Sequence, residues 1–347
     1  MSTPTQTILI TGGAGFIASN FGRWLYGKYP DYRVIVVDAL TYAGSVQNCP
    51  EGAMGSDRYE FWYGDVRNGE LMDTLVSCSD IVVHMAAESH VTRSIYDNRL
   101  FFETDVLGTQ TIANAVVKHR SRVRRFIHMS TSEVYGTALS DRMNEEHPLN
   151  PMSPYASAKC GADRLVSSYV ATYDIPATIV RSFNNFGPNQ HLEKVVPRFI
   201  TSCLLGEPLT VHGDGSAARD FIFVDDHCEA LDRLMHVPVD AIKGQVINIG
   251  TGQHRSVVEI ANSVHKAMGS PSASPIEFIG DRPGQVFRHT CDASKAKALL
   301  NWTPKTTFEH GLDRTIQWYR DNEAWWRPQM WMRHIPIVTA SGRKEMH

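Results

Sequence analysis

The chain predicts an α/β fold: a Rossmann-like, doubly wound parallel sheet followed by a smaller, mixed α/β substrate domain. Three observations carry this expectation. Short apolar runs alternate with helical patterns through the first half. The first run ends in a glycine turn, Gly12-Gly13-Ala14-Gly15-Phe16-Ile17-Ala18, and the second ends in an acid, Asp38. Runs that are apolar throughout, rather than alternating, belong to strands covered by helices on both faces, the environment of a parallel sheet.

The elements follow in order. Thr7-Ile8-Leu9-Ile10 is the first strand, and the glycine turn opens the first helix. Val34-Ile35-Val36-Val37, Ile81-Val82-Val83 and Phe126-Ile127-His128-Met129 are further strands, with a helical pattern over 101–118. Ala177-Thr178-Ile179-Val180 follows a helix that carries Tyr155. Beyond it the pattern is mixed. Short strands are expected near Leu209, Phe221, Val246 and Ile276, and helices near 196–205, 225–236, 256–268 and 308–322. The expected division is a cofactor domain over 1–181 and a substrate domain over 182–347, with the chain crossing between lobes more than once. No internal repeat or low-complexity linker interrupts it.

Bulk properties narrow the function. The 347 residues are 42% hydrophobic and 20% charged, as in a globular protein with a sizeable core. A formal charge of −3 argues against nucleic acid or acidic membranes as partners. No apolar run approaches the ~20 residues that span a bilayer. Met1 to Gln6 are uncharged and lack a secretory pattern, so a cytoplasmic location is expected. The six cysteines are scattered without a CxxC, which suits reduced thiols and no metal site.

The glycine turn is a cofactor signal. Gly12, Gly15 and Ala18 let the backbone approach a pyrophosphate, and the helix start offers unpaired N–H groups to it. Asp38, about twenty residues on, can accept hydrogen bonds from the adenosine ribose and would repel a 2′-phosphate, so NAD is favoured over NADP. Asp65 is placed to hold the adenine edge. Ala86 and Ala87, after a third strand, leave room beside the pyrophosphate.

Tyr155-Ala156-Ser157-Ala158-Lys159, preceded by Ser130-Thr131-Ser132-Glu133, is the chemical signal. One helical turn apart, Tyr155 and Lys159 share a face. An ammonium beside a phenol favours the phenolate, so Tyr155 is expected to act as a base well below its usual pKa of about 10. With the cofactor turn, this describes an enzyme that oxidises an alcohol.

Thr11-Gly12-Gly13-Ala14-Gly15-Phe16-Ile17, Thr131 and the Tyr155/Lys159 pair resemble the extended short-chain dehydrogenase/reductase family, in its sugar-nucleotide branch. The dTDP-glucose 4,6-dehydratase type is the most similar. Further matching pieces are Asp38-Ala39-Leu40-Thr41-Tyr42-Ala43-Gly44, His84 to Val91, Arg93-Ser94-Ile95, Glu133-Val134-Tyr135-Gly136, Asn184-Asn185-Phe186-Gly187-Pro188, Glu193-Lys194, Arg219-Asp220 and Asp281-Arg282-Pro283-Gly284. The resemblance spans roughly residues 7–326. It implies that Phe16, Ile17, Leu40, Thr41, Val66 and Ser89 complete the NAD site. It also implies that His90, Ser94, Asn184, Asn185, Glu193, Lys194, Arg219, Asn248 and Arg282 hold a nucleotide-diphosphate sugar.

The resemblance implies a transient oxidation at sugar C4. Tyr155 takes the hydroxyl proton, Lys159 steadies the phenolate and Thr131 bonds the C4 oxygen. Glu133 then removes the acidified C5 proton, water leaves from C5–C6, and a 4-keto-6-deoxy sugar results. One departure bears on this scheme. The glucose pattern has Asp where this chain has Ser132, and that Asp protonates the departing C6 hydroxyl. Either Glu133 carries its proton to the leaving oxygen, or a water held by Ser132 relays it. Thr92 also stands where the pattern has Asp. Thr-Ser-Glu occurs in GDP-mannose 4,6-dehydratases and UDP-glucuronate decarboxylases as well. A decarboxylase, with Arg219 facing the C6 carboxylate, is therefore a rival, as is a 4-epimerase. A non-catalytic NAD-binding regulator is a remote one. Apolar helical faces near 99–118 and 153–174 resemble the family's dimer-forming pair, so a homodimer is expected.

Overall fold

A computed structural model describes residues 4–269, 274–280 and 284–333, and the backbone of two short strands, Pro336–Val338 and Lys344–Met346. The strands of the first part are β1 (Gln6–Thr11), β2 (Tyr32–Asp38), β3 (Tyr59–Tyr63), β4 (Ile81–His84), β5 (Arg125–Thr131) and β6 (Ala177–Ser182). Those of the second part are β7 (Asn184–Phe186), β8 (Leu209–His212), β9 (Ala218–Phe223), β10 (Val246–Ile249), β11 (His254–Ser256) and β12 (Ile276–Ile279). Seven of them form one all-parallel sheet in the order β10-β6-β5-β4-β1-β2-β3. Strand order reverses between β1 and β4, and the carboxyl ends of the strands open a crevice at that switch point.

Burial explains why these runs are apolar throughout. Ile8, Ile10, Val34, Val36, Ile81, Val83 and Ile127 pack on one face against Phe21 and Leu25 of α1 (Phe16–Lys28). Leu9, Ile35, Val37, Val82 and Phe126 point the other way. They meet Met72 and Leu75 of α2 (Gly69–Ser77) and the helices that follow β4. Each such side chain, fully buried, contributes about 1.5–3 kcal/mol.

Those helices are α3 (Val91–Tyr96), α4 (Arg99–Phe101), α5 (Thr109–Lys118) and α6 (Pro154–Tyr173). A wide π-helical stretch, Phe102–Gly108, joins α4 to α5. Such stretches are rare and occur often at functional sites. The start of α6 is set by its sequence: Ser153 Oγ accepts the Ala156 N–H at 3.2 Å and Pro154 fills the first turn. That start places Tyr155 and Lys159 at the end of β5. A buried ion pair, Arg181 Nε to Asp163 Oδ2 at 2.9 Å, ties α6 to β6.

The remaining α-helices are α7 (Val195–Leu205), α8 (Val224–His236), α9 (Val239–Ile242), α10 (Val257–Met268), α11 (Ser294–Leu300), α12 (Phe308–Asp321) and α13 (Glu323–Trp326). A second core joins Phe186, Phe199, Phe221, Phe223, Leu312 and Tyr319, over a small sheet ordered β11-β9-β7. The chain crosses residue 181 in both directions. β10 pairs with β6 in the main sheet, and Leu231 of α8 and Leu300 of α11 join the α1 side of its core.

Candidate active site

A cavity of about 380 Å³ opens at the carboxyl ends of the main-sheet strands, lined by both parts of the chain. This is the size range of small-molecule sites, about 300–1,000 Å³.

At one end lies the glycine turn. Gly12 has φ 70°, and a Cβ there would sit 2.8 Å from the Ala86 backbone, so the turn closes directly on the end of β4. The N-terminus of α1 has neither a side-chain cap nor an acidic residue in its first turn, leaving its N–H groups for an anion. Asp38 Oδ2 accepts the Ala14 N–H at 2.9 Å, and Oδ1 accepts the Leu40 N–H at 2.8 Å. Burial raises the Asp38 carboxyl, and the amides of Leu40, Ala14 and Gly15 oppose that rise. Close backbone, free amides and a fixed ribose acceptor together fit NAD. Phe16, Ile17, Thr41, Val66, Ala87 and Ser89 line the same space, as do Gly15, Asp65 and Ala86. Asp65 lies beside Arg67 at 2.7 Å, which lowers its carboxyl against the opposing effect of burial. Leu40 does not line the cavity. It serves through its N–H, from a left-handed conformation at φ 49°.

At the other end stand Thr131, Glu133, Tyr155 and Lys159, all on the cavity wall. The Thr131 hydroxyl bonds the Tyr155 phenol. Lys159 is buried, and its Nζ donates to Met129 O at 2.6 Å. The expectation of a lowered phenol is corrected here. Burial first, then the charges of Asp105 and Glu133, push Tyr155 above its ordinary value, and Thr131 only partly offsets them. Burial lowers Lys159, and Asp105 and Asp163 pull it back up. Asp105, in the π-helical stretch, is fully buried. Its Oδ1 accepts the Glu88 N–H at 2.8 Å, its Oδ2 has no hydrogen-bond partner, and burial raises its carboxyl.

The surroundings of Glu133 depart most from expectation. Arg219 Nε lies 3.3 Å from Glu133 Oε1, and Arg219 Nη1 donates to Ala218 O and Val286 O at 3.0 and 2.8 Å. Arg219, expected on the diphosphate and sugar, is buried beside Glu133 and is not among the residues lining the cavity. Ser132 does not line the cavity either. It is buried, with Oγ 3.2 Å from His289 Nδ1.

The second part of the chain contributes Asn184, Asn185, Glu193 and Lys194 to the wall. Asn185 Nδ2 is taken by Ser182 Oγ and Phe183 O, and its Oδ1 is unpartnered. Glu193 is the centre of a buried cluster. Tyr42 donates to its Oε1 at 3.0 Å, Lys194 Nζ lies at 3.0 Å, and His90 Nε2 lies 3.3 Å from Oε2. Burial alone would raise Glu193, but Lys194, His90 and His191 outweigh it and bring the carboxyl down to about 2. His90 therefore acts on Glu193, and does not line the cavity.

Two more expected substrate contacts are structural. The Ser94 hydroxyl is buried and donates to Val91 O at 2.6 Å. Asn248 is buried in β10, where Oδ1 accepts from Tyr135 at 2.7 Å and Nδ2 donates to Met143 O at 3.0 Å. Arg282 lies outside the described residues. Sequence reasoning missed Tyr42, Asp105, His191 and His289. Tyr42 sits in a quoted motif, whereas the other three stand alone with no spacing to mark them. Among the described residues no group of three or more His, Cys, Asp or Glu could hold a metal ion. No helix described is long and apolar enough to cross a membrane.

Such a site, joining a dinucleotide cradle to a Thr/Tyr/Lys cluster, defines a sugar-nucleotide enzyme of the extended short-chain dehydrogenase/reductase class. The chain belongs to the family described as GDP-mannose 4,6 dehydratase, which matches residues 9–315. It is 45% identical to the low-salt glycan biosynthesis protein Agl12 of Haloferax volcanii, over 90% of this chain and 98% of that protein. It is 42% identical to the dTDP-glucose 4,6-dehydratase of Mycolicibacterium smegmatis, over 92% and 95%. Among solved structures it resembles DesIV, the dTDP-glucose 4,6-dehydratase of Streptomyces venezuelae, solved with NAD. There the TM-score is 0.87 at 40% identity, covering 93% of this chain and 99% of that one.

Proposed function

We propose that the chain is an NAD-dependent nucleotide-sugar 4,6-dehydratase, a hydro-lyase, whose substrate is dTDP-glucose. The likeness to dehydratases along nearly the whole chain supports this reading. The observation that carries it is Glu133, a carboxylate on the cavity wall beside Thr131 and Tyr155.

Bound NAD supplies the hydride acceptor at C4 and the hydride donor at C6. Glu193, Lys194, Asn184 and Asn185 grip the nucleotide sugar from the second part of the chain. Thr131 orients the C4 oxygen. Tyr155 takes the C4 hydroxyl proton as the phenolate, which the Lys159 ammonium on the same helix face favours. The C4 ketone acidifies C5, and Glu133 removes its proton. Arg219 holds the Glu133 carboxylate in place. The decarboxylase alternative needs a cation free to meet the C6 carboxylate, and Arg219 is tied to Glu133 and two carbonyls.

We also assign a homodimer and a cytoplasmic location. Leu100, Phe102 and Leu107 are exposed along α4 and the π-helical stretch beside α6, an apolar face suited to a second copy. The six cysteines are free, as in a reducing compartment. A panel of dTDP-glucose, UDP-glucose, GDP-mannose and UDP-glucuronate, with product mass spectrometry, tests the reaction. Loss of water from dTDP-glucose is expected. Loss of carbon dioxide or an unchanged mass would overturn the dehydratase reading. Light scattering on a sizing column tests the dimer.

A further inference from the structure

The segment that follows Asp38 runs from Ala39 to Asn48 and walls the cavity beside the glycine turn, through Thr41, Tyr42, Ala43 and Gly44. Its start is fixed within the first part of the chain, where Asp38 Oδ1 accepts the Leu40 N–H at 2.8 Å. Its middle and its end are fastened from the second part. In the middle, Tyr42 Oη donates to Glu193 Oε1 at 3.0 Å. Burial first, then the charge of Glu193, push this phenol above its ordinary value, so it keeps the hydrogen that it donates. The ring is held in place, with the Arg93 guanidinium 4.3 Å from its centroid and the His191 ring edge-on at 5.5 Å.

At the end of the segment, Asn48 is fully buried and both polar atoms of its amide are engaged. Nδ2 donates to Ala14 O, in the glycine turn, at 2.8 Å. Oδ1 accepts from Asn189 Nδ2 at 3.2 Å and from Trp325 Nε1 of α13 at 2.9 Å. Asn189 Oδ1 in turn accepts from Arg23 Nη2 of α1 at 2.6 Å. Asn189 holds φ 65°, a left-handed conformation that asparagine tolerates. Asn48, Asn189 and Trp325 are not among the residues lining the cavity. Their bonds join the glycine turn to the second part of the chain from behind.

We propose that segment 39–48 is a strap over the NAD site that the second part of the chain locks shut, with Tyr42 and Asn48 as its fastenings and Glu193 and Asn189 as the positioning residues that hold them. The proposal rests on the NAD assignment and not on which sugar is dehydrated. A reaction that hands its hydride back regenerates NAD in place, so the cycle has no step in which the cofactor must leave. A locked strap keeps it bound through many turnovers. NAD departs when the strap lifts, and lifting breaks the Tyr42 and Asn48 bonds together. Release is therefore set in part by Asn189, which does not reach the cavity.

The test follows NAD release from the holoenzyme, read as exchange of bound NAD for isotope-labelled NAD. Asn189→Gly keeps the left-handed backbone and removes the bond to Asn48. It should speed release at least about threefold, the worth of one neutral hydrogen bond. Tyr42→Phe, a one-atom deletion, loses a bond to a charged acceptor and should speed release about 10–100-fold. In the double variant the two factors should multiply, since the fastenings are separate. Asn189→Asp, which sets an acceptor against Asn48 Oδ1 while keeping size and the Arg23 contact, should also speed release and provides the test if the glycine variant does not fold. Asp232→Asn loosens the far end of α1, where Lys28 is paired, and touches no strap contact, so release should stay within about twofold. Unchanged release in the Asn189 variants, or equal acceleration in Asp232→Asn, would overturn the strap alone. A purified chain that carries no NAD and takes up none would overturn the NAD assignment and the strap with it.

Discussion

Arg219 Nε sits 3.3 Å from Glu133 Oε1, and the same guanidinium is pinned to two backbone carbonyls. Fastened at several points, it cannot swing toward a phosphate without releasing the carboxylate. Its planar fork is what allows these simultaneous contacts, and a lysine could not reproduce them. Arg219→Lys should therefore lower kcat for dehydration about 10–100-fold, roughly 1.4–2.7 kcal/mol in the barrier, with C4 oxidation spared. Exchange of the C5 hydrogen in heavy water should fall by the same factor. A variant changed only in KM would assign Arg219 to substrate phosphates instead.

Tyr155→Phe removes the hydroxyl that meets Thr131 and little else, because the ring packs among Phe101 and Ala158. Dehydration should fall ~10²–10⁴-fold, with the fold and the NAD content unchanged. Turnover like that of the unaltered protein would remove Tyr155 from the chemistry.

The parts of the site that could be read in the sequence were those set by local chain geometry. A tight turn needs Gly12, an acid ending the second strand marks Asp38, and one helical turn separates Tyr155 from Lys159. What escaped depends on pairing across long sequence separations. His289 meets Ser132 and Glu133 only because the segment after β12 returns beneath the end of β5, and Asp105 faces Lys159 through the π-helical stretch. The pairing of Arg219 with Glu133 was hidden for the same reason, since the two are far apart in sequence. The phenol's raised pKa was likewise hidden. Spacing shows that Tyr155 and Lys159 share a face, but not that the charge of a buried carboxylate, Asp105, acts on both of them.

Asp38→Ala should release the cofactor. The carboxylate fixes the Ala14 and Leu40 amides and offers its remaining lone pairs to the ribose, so its loss loosens the turn and removes the acceptor. NAD recovered from the denatured, purified variant should drop to a small fraction of that from the unaltered protein. The barrier to NADP should ease, since the repelling charge is gone. Full NAD occupancy in the variant would show that Asp38 serves the turn alone.

Stability should depend on Asp232, which joins α8 to α1. Its side chain is 3% exposed and accepts from Trp24 Nε1 at 3.0 Å and Tyr29 Oη at 2.7 Å, with Lys28 and His236 also paired to it. Burial would raise this carboxyl, yet the bonds from His236, Lys28, Trp24 and Tyr29 hold it well below the usual range. His236 is raised, first by Asp232 and against burial. A depressed carboxyl stabilises above its unfolded pKa of about 3.9, and that contribution fades as pH falls through the folded value. A raised histidine stabilises below about 6.5 and loses its contribution as pH climbs through the higher folded value. The full network therefore operates between about pH 4 and 6.5. Asp232→Asn leaves Lys28 and His236 without their partner, and because both are partly exposed to solvent the loss is about 1–3 kcal/mol. Denaturant midpoints of the two proteins should differ most in that window. The gap should narrow on the acid side as Asp232 protonates in the unaltered protein, and narrow more gently on the alkaline side as His236 loses its charge. A gap that stays constant from pH 3 to 8 would mean that Asp232 acts through shape and neutral hydrogen bonds, without a contribution from its charge.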